Sequence, residues 1–223
     1  MKTGFSIPRL GFVAVSGVLL TGCLLNRATV STRHFILAPI ATNEPASAAT
    51  EHLSVGIGFV KMPSYLLRNS MAVRNRTNEI EYLEDALWGE RLDQCFQRTV
   101  AANLSRLLSS DSIYLTDWGH DQVMVRVFIS VQQFDVDTRG TGTLIAQWRI
   151  AAPDSDTPLK SGYARLVRAG ASPRGKPEVI ATTLSDVAAE FSRDLAVSIR
   201  ESVKFSPSGI QSVGKQALPA VGD

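Results

Sequence analysis

Two cysteines, three histidines and one cluster of carboxylates are the residues whose chemistry could define a function in this chain. His34, His52 and His120 are scattered, without the short spacing that brings imidazoles onto one metal, so loop or edge positions are expected and no metal site is assigned. No Gly-x-Ser-x-Gly elbow occurs, which removes the main feature of an α/β-hydrolase. Gly56-x-Gly58 and Gly140-x-Gly142 have the glycine spacing of a phosphate loop. Neither leads into a helix whose amino terminus could take a phosphate, so strand twist or a bulge is the expected role. Glu79, Glu81, Glu84 and Asp85 could supply an acid/base pair, but a solvated strand face and the start of a helix account for them without catalysis. No catalytic residue and no cofactor is assigned. One apolar feature remains: Pro63, Tyr65 and Leu66 in a loop, with Trp88 at the expected start of a helix. These form a candidate partner interface if exposed, or core if covered by the sheet edge.

The amino-terminal residues have a different chemistry. Lys2 and Arg9 precede an apolar run from Leu10 to Leu20, with no acidic residue before Glu44. A membrane-spanning helix needs about 20 apolar residues, so the run is too short to span. Its length is that of a signal-peptide core. It ends in Leu20-Thr21-Gly22-Cys23, which resembles the lipobox of bacterial lipoproteins. That resemblance implies lipidation of Cys23, removal of residues 1–22 and, with Leu24 rather than Asp after the cysteine, delivery to the periplasmic face of the outer membrane. Several acyl chains anchor stably where a single one binds only marginally. Cys95 is then the only free thiol, so a thiolate zinc site is unsupported. Its place on an apolar helical stripe beside Phe96 marks it as a buried small hydrophobe.

The rest of the chain must build the body. Its 223 residues carry 23 Lys+Arg against 21 Asp+Glu, with 44% hydrophobic residues, a composition that suits one globular domain. The net charge of +2 resides in Lys2 and Arg9, and a neutral mature chain gives no case for nucleic acid. Residues 23–50 read as a lipidated tether with a short strand at His34–Leu37. Residues 51–204 read as the folded domain, and 205–223 as a disordered tail. Leu53, Val55, Ile57 and Phe59 alternate as a half-buried strand, and two more strands flank Asn75-Arg76-Thr77. Ala86 to Leu108 switches to helical period through Leu92, Phe96, Val100 and Leu104. Val123 to Val131 is a clear strand whose second row, with Arg126, Phe128 and Ser130, is mixed and therefore less covered. Strands over 140–150 and 159–167 follow. A last helix after Pro177 carries Ile180, Leu184, Val187, Phe191, Leu195 and Ile199 on one stripe. Short connections favour hairpins. The expected fold is α+β, a mixed and largely antiparallel sheet packed with two long amphipathic helices.

The order of these segments is similar to the ABC-type transport auxiliary lipoprotein family. The matching pieces are Val55-Gly56-Ile57-Gly58 with Met62-Pro63-Ser64-Tyr65-Leu66, Ala86 to Leu92, Val131-Gln132-Gln133-Phe134-Asp135, Leu144 to Arg149 and the final helix. The chain departs from the family's usual opening strand in having His34-Phe35-Ile36-Leu37, without a Tyr before the Leu. The resemblance implies a non-enzymatic component of an envelope lipid-transport system that docks the transport conduit at the outer membrane. Its implied partners are a periplasmic MCE-domain protein, inner-membrane transport components and further copies of itself. The alternatives are a structural lipoprotein for outer-membrane or cell-wall assembly and, if the Glu79–Asp85 carboxylates converge in a pocket, a lipid-anchored hydrolase.

Overall fold

A computed structural model describes residues 31–41, 53–116, 118–119 and 121–204. The leader, Cys23, most of the expected tether, His52, His120 and the tail lie outside the described residues. In chain order the elements are β1 (Arg33–Phe35), β2 (Val55–Ile57), a 3₁₀ turn (Ser64–Leu67), β3 (Ser70–Arg76), β4 (Glu79–Trp88) and α1 (Leu92–Leu108). Then come β5 (Ile113–Leu115), β6 (Val125–Asp137), β7 (Gly142–Ala151), β8 (Pro158–Arg168) and α2 (Glu178–Lys204). The strands form one eight-stranded mixed sheet. Its long ladders, β3–β4, β6–β7 and β7–β8, are antiparallel. Shorter parallel pairings join β1 to β4, β2 to β5 and β6, and β3 to β6.

Strand β6 organises the sheet because it changes phase midway. Val125, Val127, Ile129 and Val131 face the core. An extra residue between Val131 and Gln133 then shifts the register against β7, so Phe134 and Val136 take over the inward row. The first half of β6 therefore pairs with β2 and the second half with β3. Both helices lie on the inward face. Phe96 of α1 meets Phe134 edge-on at 5.0 Å between ring centroids and Phe191 of α2 at 6.0 Å, so the two helices and the sheet share one core. The stripe from Ile180 to Ile199 is buried throughout.

Three segments differ from the sequence expectation. Helix α1 starts at Leu92, and Ala86, Leu87 and Trp88 instead extend β4 to pair with β1. A short apolar run reads equally as helix or strand, and a pairing with residues some fifty positions earlier decides it. Glu84 and Asp85 are therefore strand residues, and Asp93 is the carboxylate in the first turn of α1. The strand candidate inside the expected tether is part of the body. Beyond β1 the chain lies across both helices, with Leu37 N–H donating to Cys95 Sγ, Ala38 N–H to Ser185 Oγ and Ile40 N–H to Asn103 Oδ1. Buried Asn103 in turn donates to Ser192 Oγ at 3.1 Å, so one amide ties this strap to both helices.

The third difference is at Phe59. Gly58 N–H bonds to Val127 O, but the next ladder bond to β6 comes from Lys61 N–H to Ile129 O, one residue later than regular spacing allows. The extra residue makes a bulge that turns Val60 into the core and leaves Phe59 78% exposed. Gln97 of α1 supports it by donating to the carbonyls of Ile57 and Gly58 at 3.0 and 2.9 Å.

Candidate functional site

The proposed interface residues do not form one exposed patch. Leu66 is 3% and Trp88 5% exposed, and both belong to the core, which is the covered alternative. Pro63 and Tyr65 are half-buried on the way into the 3₁₀ turn. The Tyr65 hydroxyl donates to Asp135 Oδ2 at 2.8 Å, and Tyr82 Oη donates to the Tyr65 carbonyl. Asp135, 1% exposed, also accepts from Arg74 Nε at 3.1 Å, Arg74 Nη2 at 2.5 Å and Gln133 Nε2 at 2.8 Å. A buried carboxylate with this many donors is satisfied and held. Burial, then the neighbouring Asp135 carboxylate, pushes the Tyr65 hydroxyl well above the usual phenol range. The bond to Asp135 raises the Arg74 guanidinium. The cluster pins the 3₁₀ turn to β3 and β6 and leaves no free nucleophile or base.

The acidic cluster does not converge. Glu84 points to the opposite face of β4 from Glu81 and Asp85, by strand alternation. Glu81 and Asp85 line one open pocket beside Arg33 and Arg174 but stand four strand positions apart, about 13 Å, and Glu79 faces Arg76. Cys95 is 2% exposed, and burial pushes its thiol up to about 11, so it remains protonated and unreactive at neutral pH. His34 is exposed on the edge strand β1. Among the described residues, no group of three His, Cys, Asp or Glu side chains is placed to hold a metal ion.

The surface with most chemical content is the side of the sheet turned away from the helices. Lys160 and Arg168 of β8 pair with Glu201, Asp186 and Glu190 of α2, which puts the alternate β8 row of Leu159, Tyr163, Arg165 and Val167 on the opposite side. An open groove of about 640 Å3 lies there, lined by Phe59, Lys61, Phe128, Gln147, Arg149 and Tyr163 among others. Arg149 stacks over the Phe128 ring at 4.0 Å, and Arg126 lies 5.6 Å from it. The glycine pair explains how the rings fit. A Cβ at Gly58 would meet the Phe128 ring at 3.0 Å, and one at Gly56 would meet Trp118 at 2.6 Å, so these glycines seat aromatic rings and carry no phosphate. An exposed Phe59 forgoes roughly 2 kcal/mol of burial. Sequence reasoning marked the Phe128 row as poorly covered but did not find Phe59, Arg149 or Tyr163, because only the bulge and the β6–β7–β8 register bring them together.

The fold is a mixed sheet covered by two helices on one side, with an aromatic, cationic groove on the other. The chain belongs to the ABC-type transport auxiliary lipoprotein component family, whose model matches residues 35–196. Two solved structures share the fold. Protein XCC0632 from Xanthomonas campestris, of the DUF330 family, is 11% identical over 78% of this chain and 97% of its own, with a TM-score of 0.65. An uncharacterized protein is 19% identical over 76% of this chain and 99% of its own, with a TM-score of 0.62. No curated protein matches the sequence at a significant level.

Proposed function

We propose that this protein is a lipid-anchored periplasmic accessory component of an ABC/MCE-type envelope lipid-transport system, and that it docks the transport conduit at the outer membrane. The observation that carries this reading is the order of two features in one chain. A Leu20-Thr21-Gly22-Cys23 lipobox stands directly ahead of a body that matches the auxiliary lipoprotein family over residues 35–196. In this reading residues 1–22 are removed, Cys23 carries the acyl groups and the α+β body is the docking module, assembled from several copies. Docking requires geometry and surface rather than a nucleophile.

The anchor is tested by membrane fractionation of wild type and Cys23→Ala in a bacterial host that processes lipoproteins. Wild type should sediment with outer membranes in high salt and shift in mass by the acyl groups. The variant should fold yet be released by high salt. A Cys23→Ala protein that stays with outer membranes in high salt would rule the acyl anchor out.

A further inference from the structure

We propose that the helix-free face of β6, β7 and β8, with the Phe59 bulge, docks onto an anionic phospholipid surface. The body would then lie on the membrane, with its helical layer turned towards the periplasm. The proposal deepens the anchored-adaptor reading above and rests on its envelope placement.

The first observation is the kind of side chain exposed. Phe59 at 78% and Tyr163 at 57% stand out beside Val167 and Leu159 on a face that no helix covers among the described residues. They are single apolar side chains set among cations rather than a continuous apolar centre. A protein interface concentrates apolar area at its core and moves charge to its rim. A bilayer surface instead takes isolated aromatic rings at headgroup depth with Lys and Arg beside them.

The second observation is the sign of the charge. Lys61 and Arg165 make no ion pair among the described residues, and Arg149 spends its guanidinium on the Phe128 ring and the Asp156 carbonyl. Asp156 reaches Arg126 beside the groove, and further along the same side of β6 Asp135 and Asp137 are each matched by an arginine, Arg74 and Arg139. On the other side the β8 cations are matched by carboxylates of α2. A chain that is neutral after loss of its leader therefore presents a cationic face, complementary to anionic headgroups.

The third is reach. Residues 24–32 separate Cys23 from β1 and span about 30 Å when extended. Crossing the sheet from β1 through β4, β3, β6 and β7 to β8 takes five strand spacings, about 24 Å. An acyl group on Cys23 can therefore lie in the same bilayer that the groove touches. Tethering at that distance raises the effective concentration of a weak second contact.

The test removes the acyl anchor, so the two proposals can fail separately. The full mature chain with Cys23→Ala is sedimented with vesicles of phosphatidylglycerol in phosphatidylethanolamine, and with vesicles of phosphatidylcholine alone. Binding should favour the anionic vesicles and weaken as salt is raised. The pair Lys61→Glu with Arg165→Glu should lower partitioning more than about ten-fold. Phe59→Ser with Tyr163→Ser should lower it at an unchanged salt slope. All four positions are exposed, so the urea midpoint should not move, and that midpoint is measured alongside. Absence of binding to anionic vesicles, equal binding to both, or variants that bind like the parent overturn the proposal. So does protection of Phe59 by a soluble periplasmic protein with none by vesicles, which would make this a protein interface.

Discussion

Removing Arg74 should destabilise the body more than removing Asp135, although the two form one ion pair. The reason is the asymmetry of their burial. Asp135 is 1% exposed, whereas the Arg74 side chain is 22% exposed and keeps contact with water. In Arg74→Met the carboxylate loses the donors at 3.1 and 2.5 Å and is left buried with only the Tyr65 hydroxyl and Gln133 Nε2. An uncompensated charge of this kind costs about 3–5 kcal/mol. In Asp135→Asn the guanidinium turns to solvent and the cost falls to about 1–3 kcal/mol. The double variant should cost less than the sum by about 2 kcal/mol, because the second substitution removes the group that the first left unpaired. Urea unfolding of the mature chain, with Cys23→Ala in every sample, reads these differences as midpoints at constant slope. With a slope of about 2 kcal/mol/M, Arg74→Met should move the midpoint down by roughly 2 M. A loss below about 1 kcal/mol for Arg74→Met, or strict additivity in the cycle, would refute the claim that a desolvated carboxylate holds the 3₁₀ turn.

Tyr65→Phe should cost about 1.5–3 kcal/mol near neutral pH, since it deletes a hydroxyl bonded to a carboxylate. The Tyr65 hydroxyl titrates higher in the fold than in the unfolded chain, so its stabilisation is complete below pH of about 10 and is lost as pH rises beyond it. Unfolding titrations should therefore show a steeper alkaline decline for wild type than for Tyr65→Phe, and parallel curves would contradict the assignment. Cys95 should react with a thiol reagent at pH of about 8 only after denaturation, because its thiol is buried and pushed up to about 11. Rapid labelling of the native protein would show that the strap from Leu37 to Ile40 does not cover it. Gly162→Ala drives a Cβ into the Trp148 ring and should cost about 1–3 kcal/mol, with a change in tryptophan fluorescence. An unchanged melting temperature and spectrum would mean that Trp148 does not rest on Gly162.

What the sequence revealed depended on how local each signal was. The alternation of Val125, Val127 and Ile129 and the stripe from Ile180 to Ile199 are periodic within one element, and both appear where they were expected. The family resemblance rested on the order of such elements and is matched by the family model. The misread parts, and strand β5, for which no expectation was made, depend on distant partners. Ala86–Trp88 became strand because β1 pairs with it, and β5 is held by a parallel neighbour, β2, far earlier in the chain. Phe59 left the core because one extra residue separates two bonds to β6, which no local alternation encodes. The Tyr65–Arg74–Asp135 cluster was invisible for the same reason, with Asp135 lying 70 and 61 positions from its two partners. Cys23 differs, since the chemistry proposed for it is recognised from a short linear order.

The central claim is that this body serves a lipid-transport conduit from a lipid anchor. The most direct measurement is mild-detergent purification of the full-length, lipidated chain from membranes of its own organism, with mass spectrometry of proteins held after crosslinking. The account predicts an MCE-domain protein together with ABC-type inner-membrane components in the crosslinked set. Recovery of peptidoglycan fragments or a β-barrel protein, with no MCE-domain partner, would contradict it and favour a role in envelope assembly.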